Sequence, residues 1–478
     1  MIPVLLIVVP VLTGFITFFI REERSAKAFA LLSSVATLAI ALMGAMIQNS
    51  KQLSFDAAWL QMLGSRFTLS LDGMGKMLTL LTAISFPIIF ASTYNNKYKN
   101  PNAFYGLMLL SQAGLLGVFC SFDLLLFYFF WELALIPAYF LCSKWGGEKR
   151  IPVTFKFFIY TFAGSLLMLV GILYVNFRTP EHSFAISSLR NLNLGVKDEN
   201  FIFWLFFTAF AIKMPIFPFH TWQPDTYEQA PTAVTMVLSG VMVKMGVFAV
   251  IRWLLPMFPD ASYRMADIVI ILAVIGMIYA SLIAIQQDDM KRLVAYSSIA
   301  HIGLMGASMF TNNAGGIQGV IFQMFAHGIN VLGLWIVVDV IEQQLGTRKF
   351  SQLGGLAQKA PTLAILFVVM ALANVALPLT NSFIGEFLMF NSVFRHNPWL
   401  GAAACISIIL AAVYTLWMVQ KIFYGEVREA ESRELKVPVN TQLMLVILAV
   451  MVIVFGVYPQ PMINLTSDTV SKLIVQLK

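Results

Sequence analysis

"AIKMPIFPFHTWQPDTYEQAPTAVTMVLSGVMVKMGVF" (residues 211–248) joins two apolar runs, and each run carries a lysine, Lys213 and Lys244. The first run is also interrupted by Pro215 and Pro218. Proline removes a backbone donor and clashes with the preceding turn, so a helix breaks or kinks there. Outward from this stretch, apolar runs of about twenty residues follow one another, separated by short polar patches, and about that many residues are needed to cross the hydrocarbon layer of a membrane. Of the 478 residues, 59% are hydrophobic and 12% are charged. A soluble domain carries about 25% charged residues. The reading is an all-α polytopic membrane protein with no soluble domain.

About fourteen spans are expected, near residues 2–20, 28–48, 74–94, 104–121, 123–142, 155–177, 201–218, 232–255, 266–286, 294–311, 317–342, 362–390, 399–424 and 440–458. Cytoplasmic loops of membrane proteins are enriched in Lys and Arg. With the N-terminus outside, this map puts eighteen cations inside and eleven outside, so both termini are expected on the outer face. Residues 1–20 lack a basic start and a small-residue cleavage site, and read as a retained first helix. The outer segments 49–73 and 178–200 contain alternating stretches such as "RFTLSL" that suit β pairing. Residues 426–437 read as a solvated connector.

The twelfth span is interrupted as well: "ANVALPLTNSFIGEF" places Pro378, Asn381 and Gly385 at membrane depth. Backbone groups freed in this way survive in a bilayer only where protein or a water-filled cavity satisfies them. The breaks in spans 7 and 12 lie five spans apart, the spacing expected of two inverted five-helix repeats. The chain then divides into residues 1–100 (three leading helices), 104–255 (first repeat, spans 4–8), 266–425 (second repeat, spans 9–13) and 426–478 (connector, span 14 and an outer tail).

Four ionisable residues lie well inside spans: Glu132, Lys213, Lys244 and Glu386. Each costs roughly 2.5–3.5 kcal/mol at a helix centre, so such residues face the bundle interior, pair and work. The plain alternative is a set of structural ion pairs. Glu132, in "FYFFWELALIPAYF", is expected neutral if alone and charged beside a lysine, with Lys213 as its natural partner. Drawing the two apart favours release of the lysine proton, and bringing them together favours uptake. His301 and His327 fall in the tenth and eleventh spans, and imidazole both gives and accepts protons near neutral pH. Gln323 and Asn330 flank His327. Ser165, Ser239, Ser297 and Ser298 suit bridging waters, although single serines are common in membrane helices.

The net charge of +7 forms no basic block, so no nucleic-acid partner is expected. Cys120, Cys142 and Cys405 make no CxxC pair, and there is no dinucleotide fingerprint, Walker A loop or HExxH. No nucleotide, haem, iron–sulfur centre or metal is expected in this chain. Energy for uphill transport must come from a partner or from another ion.

The stretches "FFWELALIPAYFL" (129–141), 211–248 and "MKRLVAYSSIAHIGLM" (290–305) resemble the antiporter-like proton-pumping subunits of respiratory complex I and of multisubunit cation/proton antiporters. The resemblance implies fourteen helices, inverted repeats and broken seventh and twelfth helices. It places the family's fifth-helix glutamate on Glu132, its seventh- and eighth-helix lysines on Lys213 and Lys244, and its central histidines on His301 and His327. Most members have lysine in the twelfth helix, whereas one resembles this chain in having glutamate, here Glu386. The absence of a long lateral helix after the last span favours the same member. The family also implies neighbours: homologous membrane subunits on either side, and FMN, iron–sulfur clusters and quinone in other subunits. A subunit of a sodium/proton antiporter or of a membrane-bound hydrogenase is the alternative, and a purely structural scaffold is the reading without transport.

Overall fold

The computed structural model describes every residue except Asn191, Asn193, residues 425–434 and Lys478. Most of the connector expected at 426–437 therefore lies outside the described residues. The larger helices are α1 (Ile2–Thr17), α2 (Glu23–Met46), α3 (Gly73–Ser92), α4 (Pro101–Cys120), α5 (Leu124–Trp145), α6 (Arg150–Arg178), α7 (Val196–Lys213), α8 (Trp222–Gln229) and α9 (Thr232–Met257). They continue as α10 (Pro259–Ile285), α11 (Met290–Met309), α12 (Ala314–Leu345), α13 (Pro361–Asn374), α14 (Asn381–His396), α15 (Pro398–Tyr424), α16 (Val439–Val457) and α17 (Gln460–Gln476). Ten of the described helices are long and apolar enough to cross a membrane, and α1 and α13 are shorter apolar helices.

What faces outward identifies the solvent. On α6, Ile151, Phe155, Ile159, Phe162, Leu166, Val170, Leu173 and Phe177 are all exposed at intervals of three or four residues. That spacing lays them along one face of the helix. In water such a stripe is an aggregation surface; in a bilayer it meets its own kind. By contrast α9 and the apolar middle of α12 are buried throughout. They cross where glycine allows it. A Cβ on Gly328 of α12 would stand 2.9 Å from the carbonyl oxygen of Gly240 on α9 and 2.6 Å from Leu81 of α3.

Both expected breaks are present, with different limits from those anticipated. Span 7 ends as helix at Lys213, Pro215 and Pro218 lie in the gap, and the chain resumes as α8. The polar sequence of α8 reads as a loop, but its acids are held by charge: Asp225 pairs with Lys156 (2.9 Å) and Arg292 (3.0 Å), and Glu228 with Arg292 (2.8 Å). In span 12 the gap falls between Asn374 and Asn381 and contains Pro378, so Asn381 and Gly385 belong to α14 and not to the break. Ala376 and Leu379 take left-handed φ angles of 52° and 74° in that gap, a conformation costly for residues with a side chain. In α9, π turns at Leu238–Met242 and Val250–Leu254 had no counterpart in the sequence reading.

At one end of the bundle a β-hairpin pairs β1 (Ser54–Ala58) with β2 (Arg66–Ser70) in antiparallel register, Asp56 opposite Thr68. This bears out the expectation for 49–73. The segment 178–200 contributes no strand among its described residues, only a single bridge from Ala185 to Asp123, a short helix and the first turn of α7. Asp123 joins hairpin to bundle: it caps α5 through Leu125 and Leu126 and accepts from Ser65 Oγ (2.8 Å) and the Arg66 amide (3.0 Å). The expected tail is instead the helix α17, which packs against α3 and α12. Gly73 donates to Thr469 Oγ1 (3.0 Å) and Gln318 to Thr466 Oγ1 (2.6 Å).

Replacing Gly328 by alanine should force α9, α12 and α3 apart and destabilise the subunit by about 1–3 kcal/mol. A lowered thermal midpoint of the detergent-solubilised protein would register this; an unchanged midpoint would overturn the reading of a close-packed crossing.

Candidate functional site

The enclosed helices α9 and α12 bring Lys244 and His327 together. Lys244 is fully buried. Its ammonium donates to the carbonyl of Ser239 (2.6 Å), within the first π turn, and lies 2.8 Å from His327 Nδ1. Two states satisfy that second contact: an ammonium donating to a bare Nδ1, or a neutral amine accepting from a protonated one. Passing from one to the other moves a proton between helices.

The His327 and His301 rings lie 5.3 Å apart between centroids. His301 Nδ1 is 2.9 Å from Glu386 Oε1, and the same carboxylate oxygen accepts from Gln323 Nε2 (3.1 Å). Helices α9, α12, α11 and α14 thus supply, in order, Lys244, His327, His301 and Glu386 as one buried line. Ser382 accepts from Asn330 (2.7 Å), and Ser297 accepts from Asn374 (3.1 Å) and Tyr414 (3.0 Å). A cavity of about 20 Å³ touches His301, Glu386 and Tyr414, room for about one water molecule.

The other half of the expected site is arranged differently. Lys213 is the last residue of α7, where the helix's partly negative end favours a cation. Its ammonium sits 5.4 Å from the centre of the Trp131 ring and has no hydrogen-bond partner. Glu132 Oε1 is likewise without one. The expected ion pair between them is not formed: among the described residues every ion pair within 4 Å lies elsewhere. The ammonium rests over the Trp131 ring instead. Ser165, which donates to the Thr161 carbonyl (3.0 Å), stands beside Glu132. The Ser298 hydroxyl is buried without a partner.

Sequence reasoning missed Tyr414 and Thr415, which are single polar residues in an apolar span, and it missed Asp339. At the end of the bundle opposite the hairpin, a cavity of about 670 Å³ is lined by Asp339, Lys291, Glu342, Glu228 and Arg348 among others. The nearby ion pairs Lys291–Glu342 (2.8 Å), Arg348–Glu342 (2.8 Å) and Arg348–Asp289 (2.5 Å) rim it.

The family model described as NADH:quinone oxidoreductase/Mrp antiporter, TM, matches residues 121–411. The chain is 36% identical over 470 residues to NADH-quinone oxidoreductase subunit M of Rhodobacter capsulatus, covering 95% of this chain and 91% of the relative. It is 34% identical over 496 residues to F(420)H(2) dehydrogenase subunit M of Methanosarcina mazei, covering 100% and 99%. A chain in the structure of respiratory complex I from Thermus thermophilus with bound NADH superposes with a TM-score of 0.88 at 28% identity, covering 99% of this chain and 100% of that one. A chain of the Mrp complex from Dietzia sp. DQ12-45-1b gives 0.84 at 22% identity, covering 100% of this chain and 55% of that one, a likeness of fold alone.

Gln323→Leu removes the one amide that steadies Glu386 opposite His301. The expected result is a loss of about 1.5–3 kcal/mol, the usual worth of a hydrogen bond to a charged group. Thermal unfolding of the solubilised protein measures it, with Gln323→Met as a control for shape.

Proposed function

The chain belongs to the family of NADH-quinone oxidoreductase subunit M, the antiporter-like, proton-translocating membrane subunit of complex I, and from that membership we propose how its own residues carry the proton. The path runs from Glu132 and Lys213 in the first half to Lys244 and His327 at the centre, then through His301 to Glu386. The observation that carries this reading is the pair of contacts Lys244–His327 at 2.8 Å and His301–Glu386 at 2.9 Å, with the two imidazoles between them. Each neighbour in that row both gives and takes a proton, so a charge arriving at one end displaces one at the other.

Glu132 and Lys213 act as the switch. Apart, with Lys213 against Trp131, the ammonium lacks a counter-ion and its proton is favoured to leave toward Lys244. Brought together, the pair holds the proton. Quinone reduction elsewhere in the complex would set the separation, by charge rearrangement transmitted along the membrane arm.

In the same reading the fourteen helical runs all cross the bilayer, spans 7 and 12 each as two half-helices (α7 with α8, α13 with α14). Residues 104–255 and 266–425 form the two inverted repeats, with 1–100 and 426–478 outside them. Both termini, the hairpin and α17 face the periplasm of a bacterial inner membrane, and the 670 Å³ cavity opens to the cytoplasm. Homologous membrane subunits lie on either side, while FMN, iron–sulfur clusters and quinone belong to other subunits. A second reading, transport of sodium with protons, draws on the family model's inclusion of Mrp antiporters.

Glu132→Gln or Lys213→Ala should lower proton translocation coupled to NADH oxidation to about a tenth or less, the scale on which lost acid–base groups act, with the complex still assembled. Normal pumping in an assembled variant removes that residue from the path. Pumping by the wild-type complex should also be indifferent to sodium; a strict sodium requirement would favour the second reading.

A further inference from the structure

We propose that Asp339 is the carboxylate that collects protons from the large cavity and delivers them to the Lys244–His327 pair, an assignment that rests on the path proposed above. Asp339 lies on α12 and is 5% exposed. A carboxylate inside a membrane bundle is expensive unless it is paired or put to use. Of the other acids lining this cavity, Glu148 is exposed to solvent, whereas Glu228 and Glu342 each contact Arg348, and Glu342 also takes Lys291. Asp339 has no cation within 4 Å among the described residues. Its Oδ2 accepts from Asn96 Nδ2 (3.0 Å), and its Oδ1 has no partner. It is shared by two cavities, the 670 Å³ one and another of about 180 Å³ beside α3 and α16.

From Asp339 a route leads inward along the contact of α12 with α9. Twelve residues separate it from His327, about 18 Å along a helix. The two helices run oppositely there: Thr232 of α9 meets Glu342, while Lys244 meets His327. Between these points the contact is not purely apolar. The hydroxyl of Tyr227, which belongs to α8 and whose carbonyl meets Thr235 of α9, and the Trp335 indole nitrogen, with rings 6.0 Å apart, are both buried without partners. Thr235 and Ser239 on α9 add hydroxyls on the way to Lys244. Buried polar groups without protein partners take up ordered water. About six hydrogen bonds of ordinary length span the distance.

The transfer balances as a proton relay. Asp339 carboxylate takes a proton from hydronium in the cavity, leaving water. It gives that proton through the seam to the neutral Lys244 amine, which becomes ammonium, and is itself restored to carboxylate.

The test uses inside-out membrane vesicles carrying the intact complex. In Asp339→Asn, NADH-driven proton translocation should fall about tenfold, while NADH oxidation with an artificial electron acceptor stays at the wild-type rate. Adding formate, a small weak acid, should restore translocation in the variant and leave the wild type unchanged, because a diffusing acid replaces a missing collector. Asp339→Glu should translocate normally. Asp339→Ser, which leaves room for the added acid, serves if the asparagine variant does not assemble. Wild-type translocation in Asp339→Asn, or a loss that formate does not restore in either variant, overturns the assignment. Lys244→Ala, measured alongside, tests the central path separately: it should lose translocation and not respond to formate, and if it pumps normally it is that path which fails.

Discussion

A lysine at the middle of a membrane must be kept from lipid on every side. Lys244 meets this requirement by sitting on a helix that other helices enclose completely. The consequence reaches through the bundle. Helix α12 has to cross α9 closely enough to bring His327 within hydrogen-bonding distance, and the crossing is close because Gly240 and Gly328 stand at it. Helix α14 must then be broken from α13 so that Glu386 can turn toward His301. The helices that wrap this centre are free to be apolar on their outer faces, as the stripe on α6 is. In a bilayer, burial of polar groups, rather than of apolar ones, organises the packing.

The two groups of buried ionisable residues differ in state. Glu386 is engaged, with His301 and Gln323 on one oxygen. Around Glu132 and Lys213 contacts are open, and the ammonium rests against an aromatic face. A face of this kind holds a cation more weakly than a carboxylate does. The open group is thus the one in which a small movement changes the charge balance most.

Much of this was legible in the residues. Lys213, Lys244, Glu132 and Glu386 stand out because charge is rare in apolar runs, and Pro215, Pro218 and Pro378 mark the gaps because proline cannot continue a helix. Helix α8 was not legible: "WQPDTYEQ" has the composition of a loop, and its helical form depends on Arg292 and Lys156, which are distant in sequence. Helix α17, half apolar and half polar, reads as a tail until α3 and α12 are there to cover one side. Asp339 lies near the end of its span, where a charge is unremarkable. Its isolation shows only when the partners of the surrounding acids are known. The missing Glu132–Lys213 contact is a matter of three-dimensional placement, and sequence spacing carries no such information.

The π turns in α9 bear on how the chain tolerates change in length. Each π turn holds one residue more than an α turn, so an extra residue is absorbed where it occurs and the faces before and after it keep their alignment. A one-residue deletion within Leu238–Met242 would convert that turn to ordinary helix and leave Thr232 and Trp253 facing as before. Helix α12 has no such slack among its 32 residues. A deletion there would rotate everything beyond it by about 100° and carry His327 away from Lys244. Insertions and deletions among homologous chains should therefore be found in α9 and be absent from α12.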